Sequence, residues 1–334
     1  MTKRTRYFLV GSAAVLVLGL CTGLVAYYGG ALPSLSAARS GPTELTYVPA
    51  NASIVAYANV RDVMTSQFRE RVRQMMPEQD RGRDDFQRET GIDIEHDIDH
   101  VVACVLAKEG EDGGLVVARG RFNTARLEIL GREHGGQVEE YKGKRLVLTS
   151  RIDKVPEAGT VELGGKRAAL AFMEQGLVAI GDEASVKSAI DAATSGQSVT
   201  GNDEMMKLVA EIETGANAWA VGRFDALAGR AKLPAEVSSQ IPALKWFAAT
   251  GRINGGISGS LRAEARDEPS AKNLRDVITG LFALARLQGG SDPKMQAMIQ
   301  ALQLTGTGTT VTVSFTVPAE VFEALSKLGK KQGN

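Results

Sequence analysis

The chain has 334 residues, of which 39 are basic and 39 are acidic, so its formal net charge is zero. A nucleic-acid-binding protein normally carries a clear basic excess, so this balance argues against that class. A hydrophobic fraction of 43% is enough to build a core, which excludes a disordered chain. Aromatic residues make up 5%, too few for the stacking surfaces that bind sugars or single-stranded nucleic acid.

The clearest signal lies near the N-terminus. Residues 7–28 contain no charged side chain. As a helix they would be about 33 Å long, enough to cross a hydrocarbon core of about 30 Å. Lys3, Arg4 and Arg6 precede the span, and the positive-inside rule then places residues 1–6 in the cytoplasm. We therefore predict a single-pass protein of the cell membrane whose C-terminal domain is extracytoplasmic.

Two other interpretations of this segment stay open. The span could be a cleaved signal peptide with Ser36-Ala37-Ala38 as the cleavage site, although the apolar region of a signal peptide is usually shorter, about 7–15 residues. It could also belong to a lipoprotein with Cys21 as the lipidated residue, although Leu20 stands where that motif has a small residue. Residues 29–45 are rich in Gly, Pro and Ser and predict a flexible tether.

Strand and helix patterns follow the tether. Helices are predicted from about Asp62, after Asp182 as N-cap, from Pro269 to Gly289, and from Pro318. Apolar and charged residues alternate from Leu261 to Arg266, which favours an antiparallel sheet with one solvated face. Strands are predicted at 53–60, 100–107, 114–121, 144–149, 167–173, 177–181, 217–223, 246–253, 257–266 and 309–317.

Together these patterns favour an α+β fold, with antiparallel sheets and helices packed on one face, after a single N-terminal transmembrane helix. The polar segment 195–202 is the best internal boundary, and it divides the folded part into residues 46–198 and 199–330, each a domain or half of one. A short match between Gly120-Arg121-Phe122-Asn123 and Gly222-Arg223-Phe224-Asp225 suggests that the two parts are related by duplication.

The richest polar cluster runs from Gly91 to His100. His96 and His100 are four residues apart among four carboxylates, a spacing that on a helix would place both imidazoles on one face as weak metal ligands. Two histidines alone seldom hold zinc, so we expect no metal and interpret the segment as a solvated turn before a strand. No catalytic motif and no cofactor-binding motif converge elsewhere, so the sequence does not predict an enzyme.

The two cysteines are not expected to form a disulfide. Cys21 lies in the apolar span, whereas Cys104 lies in the strand-like run from Val101 to Leu106. We interpret Cys104 as a small buried hydrophobic residue, because apolar neighbours raise the pKa of a thiol and suppress its reactivity.

One resemblance carries information about the host. The segment from Tyr47 to Val60 resembles the first strand of a loose group of bacterial envelope proteins of unknown function, which pair an N-terminal anchor with a Tyr-Val-Pro-Ala-Asp/Asn-Ala opening. Thr90-Gly91-Ile92-Asp93 is similar to the same group. The resemblance implies a bacterial host and an extracytoplasmic, periplasmic-type domain, and it implies no functional residues.

Two functions are compatible with these observations. The first is a binding or scaffolding module of the bacterial cell envelope, with the membrane (through residues 7–28) and other envelope proteins as its partners. The alternative is a carrier of lipid or another apolar ligand in a cavity between sheet and helices. An apolar cavity would favour the carrier, whereas a filled core with an exposed apolar patch would favour the module.

Overall fold

The structure is a computed structural model, and it describes residues 41–66, 69, 86–106, 113–149, 167–212, 215–224, 244–253, 256–289, 296 and 299–318. The span predicted at 7–28, the tether up to residue 40 and the helix predicted after Pro318 lie outside these ranges. Within the described ranges, every helix is too short or too polar to cross a membrane.

In the described part of the chain, the centre of the fold is one sheet of twelve antiparallel strands. Its order is β11-β12-β10-β9-β8-β1-β2-β3-β7-β6-β5-β4. Each of the ten predicted strands overlaps an observed strand, with ends that differ by at most two residues, and the structure adds β4 and β11. The strands are β1 Ala52–Ala58, β2 Ile98–Leu106, β3 Gly113–Gly120, β4 Gln137–Tyr141, β5 Lys144–Leu148, β6 Ala168–Glu174, β7 Leu177–Asp182, β8 Ala218–Arg223, β9 Leu244–Ile253, β10 Gly256–Ala265, β11 Leu302–Thr305 and β12 Thr310–Pro318.

The helices begin and end at recognisable caps. Asp182 is the N-cap of α4, as the sequence predicts, and its side chain accepts a hydrogen bond from the backbone N–H of Ser185. Gly196 ends the same helix in the left-handed conformation that glycine tolerates. The helices are α1 Val60–Met64, α2 Ile94–Asp97, α3 Thr124–Glu133, α4 Glu183–Ser195, α5 Asp203–Ala210 and α6 Glu268–Gly289, with 3-10 helices at Thr43–Tyr47 and Val199–Gly201.

Helices cover both faces of the sheet, so the expectation that they pack on one face is wrong. We call the face that carries α4 and α5 the first face, and the face that carries α1, α3 and α6 the second face. The central strands are apolar on both sides, as the consecutive buried residues Val101 and Val102 of β2 show, and each side therefore needs a cover.

The strand order repeats within the sheet. The first part contributes β1-β2-β3-β7-β6, and the second contributes β8-β9-β10-β12-β11 in the mirrored direction, with β1 and β8 paired antiparallel between them. In both parts a helix on the second face, α3 or α6, follows the third strand. This arrangement supports a duplication. The short sequence match does not, because it joins β3 to β8, which occupy different places in the repeat.

Candidate functional site

The two histidines of the polar cluster lie on different elements. α2 ends at Asp97 and β2 begins at Ile98, so His96 and His100 do not share a helical face. The His96 side chain is 70% exposed, and its Nδ1 lies 2.8 Å from an oxygen of Asp93, the N-cap of α2. His100 instead turns toward Glu44. Among the described residues, no three or more His, Cys, Asp or Glu side chains come together as metal ligands would.

A buried carboxylate gathers His100 and an arginine on the first face. Glu44, in the first 3-10 helix, is only 2% exposed. One carboxylate oxygen lies 2.9 Å from Nε2 of His100, and the other accepts a hydrogen bond of 2.8 Å from Nε of Arg119. Arg119 and His100 stand directly opposite each other in β3 and β2. A second guanidinium nitrogen of Arg119 donates to Glu174 at 2.8 Å. We call these four residues the Glu44 cluster.

The cluster keeps Glu44 ionised. Burial alone would raise the pKa of a carboxyl group, but one hydrogen bond and the charge attraction from His100, a hydrogen bond from Arg119 and a backbone hydrogen bond together outweigh it. The pKa of Glu44 is consequently lowered from 4.5 to about 2. For Arg119, burial lowers the pKa, but Glu44 and Glu174 together raise it above its ordinary value. Glu44 and Arg119 therefore form a charged pair at neutral pH.

Aromatic rings line one side of the Glu44 cluster. The ring of Tyr57 lies 5.7 Å from that of His100 and stacks 5.7 Å from that of Trp219, with an interplanar angle of 22°. Burial, with smaller contributions from Asp62 and Glu44, raises the pKa of Tyr57 to about 12, so its hydroxyl stays protonated. These neighbours limit the access of water to the ion pairs and so strengthen them.

The cluster attaches the start of the folded chain to the sheet. Leu45, which lies within the first 3-10 helix next to Glu44, and Val48, the C-cap of that helix, are fully buried in the main core. Residues 43–45, assigned to the tether by their sequence, are thus part of the fold, which begins before the predicted boundary at 46. The reason is the burial of Glu44 and Leu45, which depends on partners far away in the sequence.

Cys104 is buried as its apolar neighbours predict. It is 5% exposed on the first face of β2, and burial raises the pKa of its thiol to about 12. The thiol therefore stays protonated at neutral pH and is a packing residue of the core.

The second face carries a row of apolar side chains across its centre. Direct cross-strand neighbours in β6, β7, β3, β2, β1 and β8 form this row. We call it the central apolar row, and its members are Leu170, Ile180, Val116, Ala103, Ala56 and Ala220. Ile180 is 46% exposed and Val116 36%, whereas the other four are partly exposed. A row of this kind across six strands is a candidate binding surface.

Described elements border this row and leave its middle open. α3 covers β4 and β5, where Gly131 lies against Val147, and α1 packs near the ends of β1 and β2. Beside the row, a Cβ added to Gly114 would meet no atom within 4 Å. Within the described part of the chain, the surface around Val116 and Ile180 is therefore accessible.

Comparison with known proteins shows little at the level of sequence. No protein-family model matches the chain, and no curated protein matches it. Among solved structures, three crystal forms of TP0453 are similar. Form I has 10% identity and a TM-score of 0.44 over 86% of this chain and 97% of that one. Form III has 8% identity and a TM-score of 0.46 over 85% and 97%, and form IV has 10% and 0.46 over 88% and 99%.

Proposed function

We propose that the chain is a single-pass protein of the bacterial cell envelope, anchored by residues 7–28 with a cytoplasmic N-terminus. Its extracytoplasmic domain is a binding or scaffolding module that binds other envelope proteins, and it needs no catalytic residue, metal or cofactor. The uncharged span after Lys3, Arg4 and Arg6 supports the anchor. The observation that carries the binding role is the exposure of Val116 and Ile180 in the central apolar row.

The distribution of buried side chains supports a binding module over a carrier. On the first face, Leu106, Leu115 and Leu177 are at most 2% exposed and pack in one cluster with α4. Side chains thus occupy the layer between sheet and helix where an enclosed ligand would lie. The exposed apolar side chains face outward on the opposite side, where a partner protein can cover them.

A photo-crosslinking experiment in intact bacterial membranes tests this proposal. A benzophenone amino acid replaces Ile180 in the full-length chain, and a matched variant carries it at Ile129. Ile129 is also an exposed aliphatic residue of the second face, at 57%, but lies on α3 outside the central apolar row. We expect a discrete protein adduct from position 180 that is absent from position 129.

A second substitution tests whether the adduct depends on the central apolar row. Val116→Asp places a carboxylate directly opposite position 180 in the paired strand, so the adduct should be lost while the chain still accumulates. Equal adducts from positions 180 and 129, or an adduct that survives Val116→Asp, would contradict the proposal. An adduct to lipid alone would instead favour the carrier of an apolar ligand.

A further inference from the structure

The two edges of the described sheet differ in how they are protected. β4 forms one edge, and Glu139 and Glu140 place negative charges on it. β11 forms the other edge, and its four residues, Leu302 to Thr305, contain no charge and no proline. It also pairs with β12 without a bulge. Natural sheets protect their edges with charges, prolines, bulges or short strands, so β4 is protected by its charges, whereas β11 has only its short length.

The internal repeat places a further strand at the equivalent edge of the first part. β11 occupies the position in the second part that β6 occupies in the first. β6 has an additional antiparallel neighbour, β5, in which Leu146 stands opposite Ala171 and Leu148 opposite Ala169. Within the described ranges, the second part has no counterpart of β5. The repeat therefore indicates that the sheet can accommodate one more antiparallel strand beside β11.

The side chains of β11 are complementary to a second copy of the same strand. Leu304 packs in the cluster beneath α6 on the second face, and Leu302 shares that face because side chains alternate along a strand. Both leucines are half-buried, whereas Gln303 on the first face is exposed. In an antiparallel pair centred on Gln303, Leu302 of each copy stands opposite Leu304 of the other. The leucines then cover each other, and the two Gln303 amides can exchange hydrogen bonds.

We propose that two copies of this chain associate through β11 and form one continuous sheet. The twofold axis passes through Gln303 perpendicular to the sheet, so that the first face of one copy continues as the first face of the other. A twofold interface requires a surface that is complementary to itself, and on β11 no like charges meet. The same pairing on β4, centred on Glu139, would place two carboxylates opposite each other. The proposal depends on neither the membrane anchor nor the central apolar row.

Disulfide cross-linking of the full-length chain in detergent micelles tests this register. Cys21→Ser removes the cysteine of the N-terminal span, and Cys104 stays in place because it is 5% exposed. One variant then carries Gln303→Cys, and the matched control carries Thr305→Cys, also at an exposed position of β11. Directly opposite residues have Cα atoms about 4.5–5.5 Å apart, which suits a disulfide, whereas the two copies of residue 305 would be about 13 Å apart along the strands. We expect several-fold more covalent dimer from position 303 than from position 305.

Light scattering, corrected for bound detergent, measures the association without a cross-link. We expect the wild-type chain to have the mass of two copies. Gln303→Lys places two like charges opposite each other and should lower the dimer fraction several-fold, whereas Gln137→Lys, the same change at an exposed position of β4, should not. The melting temperature of each lysine variant verifies that it is folded. A monomeric wild type, equal cross-linking at 303 and 305, or a dimer that survives Gln303→Lys would overturn the proposal.

Discussion

Replacing Glu44 by Gln should remove most of the loss of unfolding free energy that this site causes at acidic pH. The side chain is 2% exposed and holds His100 at 2.9 Å and Arg119 at 2.8 Å. Gln keeps the shape of Glu but cannot be ionised, so the variant isolates the charge. It leaves Arg119 paired with Glu174 only.

The magnitude follows from the pKa of Glu44. The folded chain lowers it from 4.5 to about 2, and each unit corresponds to about 1.4 kcal/mol. Because the folded pKa lies below the unfolded one, the contribution is fully present above about pH 5 and disappears as the pH falls through 4.5 toward 2. The wild-type chain should therefore lose about 3 kcal/mol of unfolding free energy over that range that the Glu44→Gln chain does not lose.

Urea unfolding of the full-length chain in detergent micelles measures this difference. Trp219, which stacks on Tyr57 beside the cluster, supplies the fluorescence signal. Asp276→Asn is the control, because its ion pair with Lys272 is exposed and should contribute little. We expect wild type and Glu44→Gln to differ at neutral pH and to converge only near pH 2, as the linkage requires. Parallel curves with a constant offset would refute the assignment of a depressed pKa to Glu44.

Three further outcomes are expected. Cys104 should react with a thiol reagent only after unfolding, because its thiol is buried with a pKa of about 12; labelling of the native chain at the unfolded rate would contradict this. His96→Gln should leave the free energy of unfolding unchanged, since the His96 side chain is 70% exposed. His100→Gln should lower the free energy of unfolding by about 1–3 kcal/mol, because it removes a partner of Glu44. Neither variant should change the metal content measured by mass spectrometry. A reporter active only outside the cytoplasm should be active when fused after Asn334, and activity only of a cytoplasmic reporter would reverse the proposed orientation.

Local patterns in the sequence predict the strands and helices of this fold, but they do not predict which strands pair with each other. The antiparallel strand β10 and the cap at Asp182 are predicted from a few neighbouring residues and are confirmed. β3 pairs with β7 and β1 with β8, and these pairings depend on contacts between residues far apart in the chain. The sequence does not predict β4, because Glu139 and Glu140 interrupt the apolar residues of this edge strand.

The same limit applies to the candidate sites. The sequence places several carboxylates close to His100, but the partner of His100 in the structure is Glu44, which precedes β1. Glu44 stands in a short polar segment that resembles the tether before it, so no local signal indicates its burial. Val116 reads as a core residue within an apolar run, and only the placement of helices around it shows that it is exposed.

The single sheet predicts that the two halves of the chain depend on each other for stability. β1 of the first half and β8 of the second half are neighbours, and Gly222 stands opposite Ile54 across this seam. A Cβ at Gly222 would lie 2.5 Å from the carbonyl oxygen of Ser53 and 2.8 Å from Cα of Ile54. Both are backbone atoms of the paired strand, so Gly222→Ala must push the strands apart and should cost about 1–3 kcal/mol.

Hydrogen exchange measures whether Gly222→Ala lowers stability on both sides of the β1–β8 strand pair. We expect Gly222→Ala to lower the protection of amides in β3 and in β12 by the same free energy, because a sheet that unfolds cooperatively shares the loss. Gly114→Ala is the control, since its added Cβ meets no atom within 4 Å and should change neither strand. A loss confined to β12 would mean that residues 46–198 and 199–330 unfold as separate domains despite their shared sheet, and the seam would then be an interface rather than part of one core.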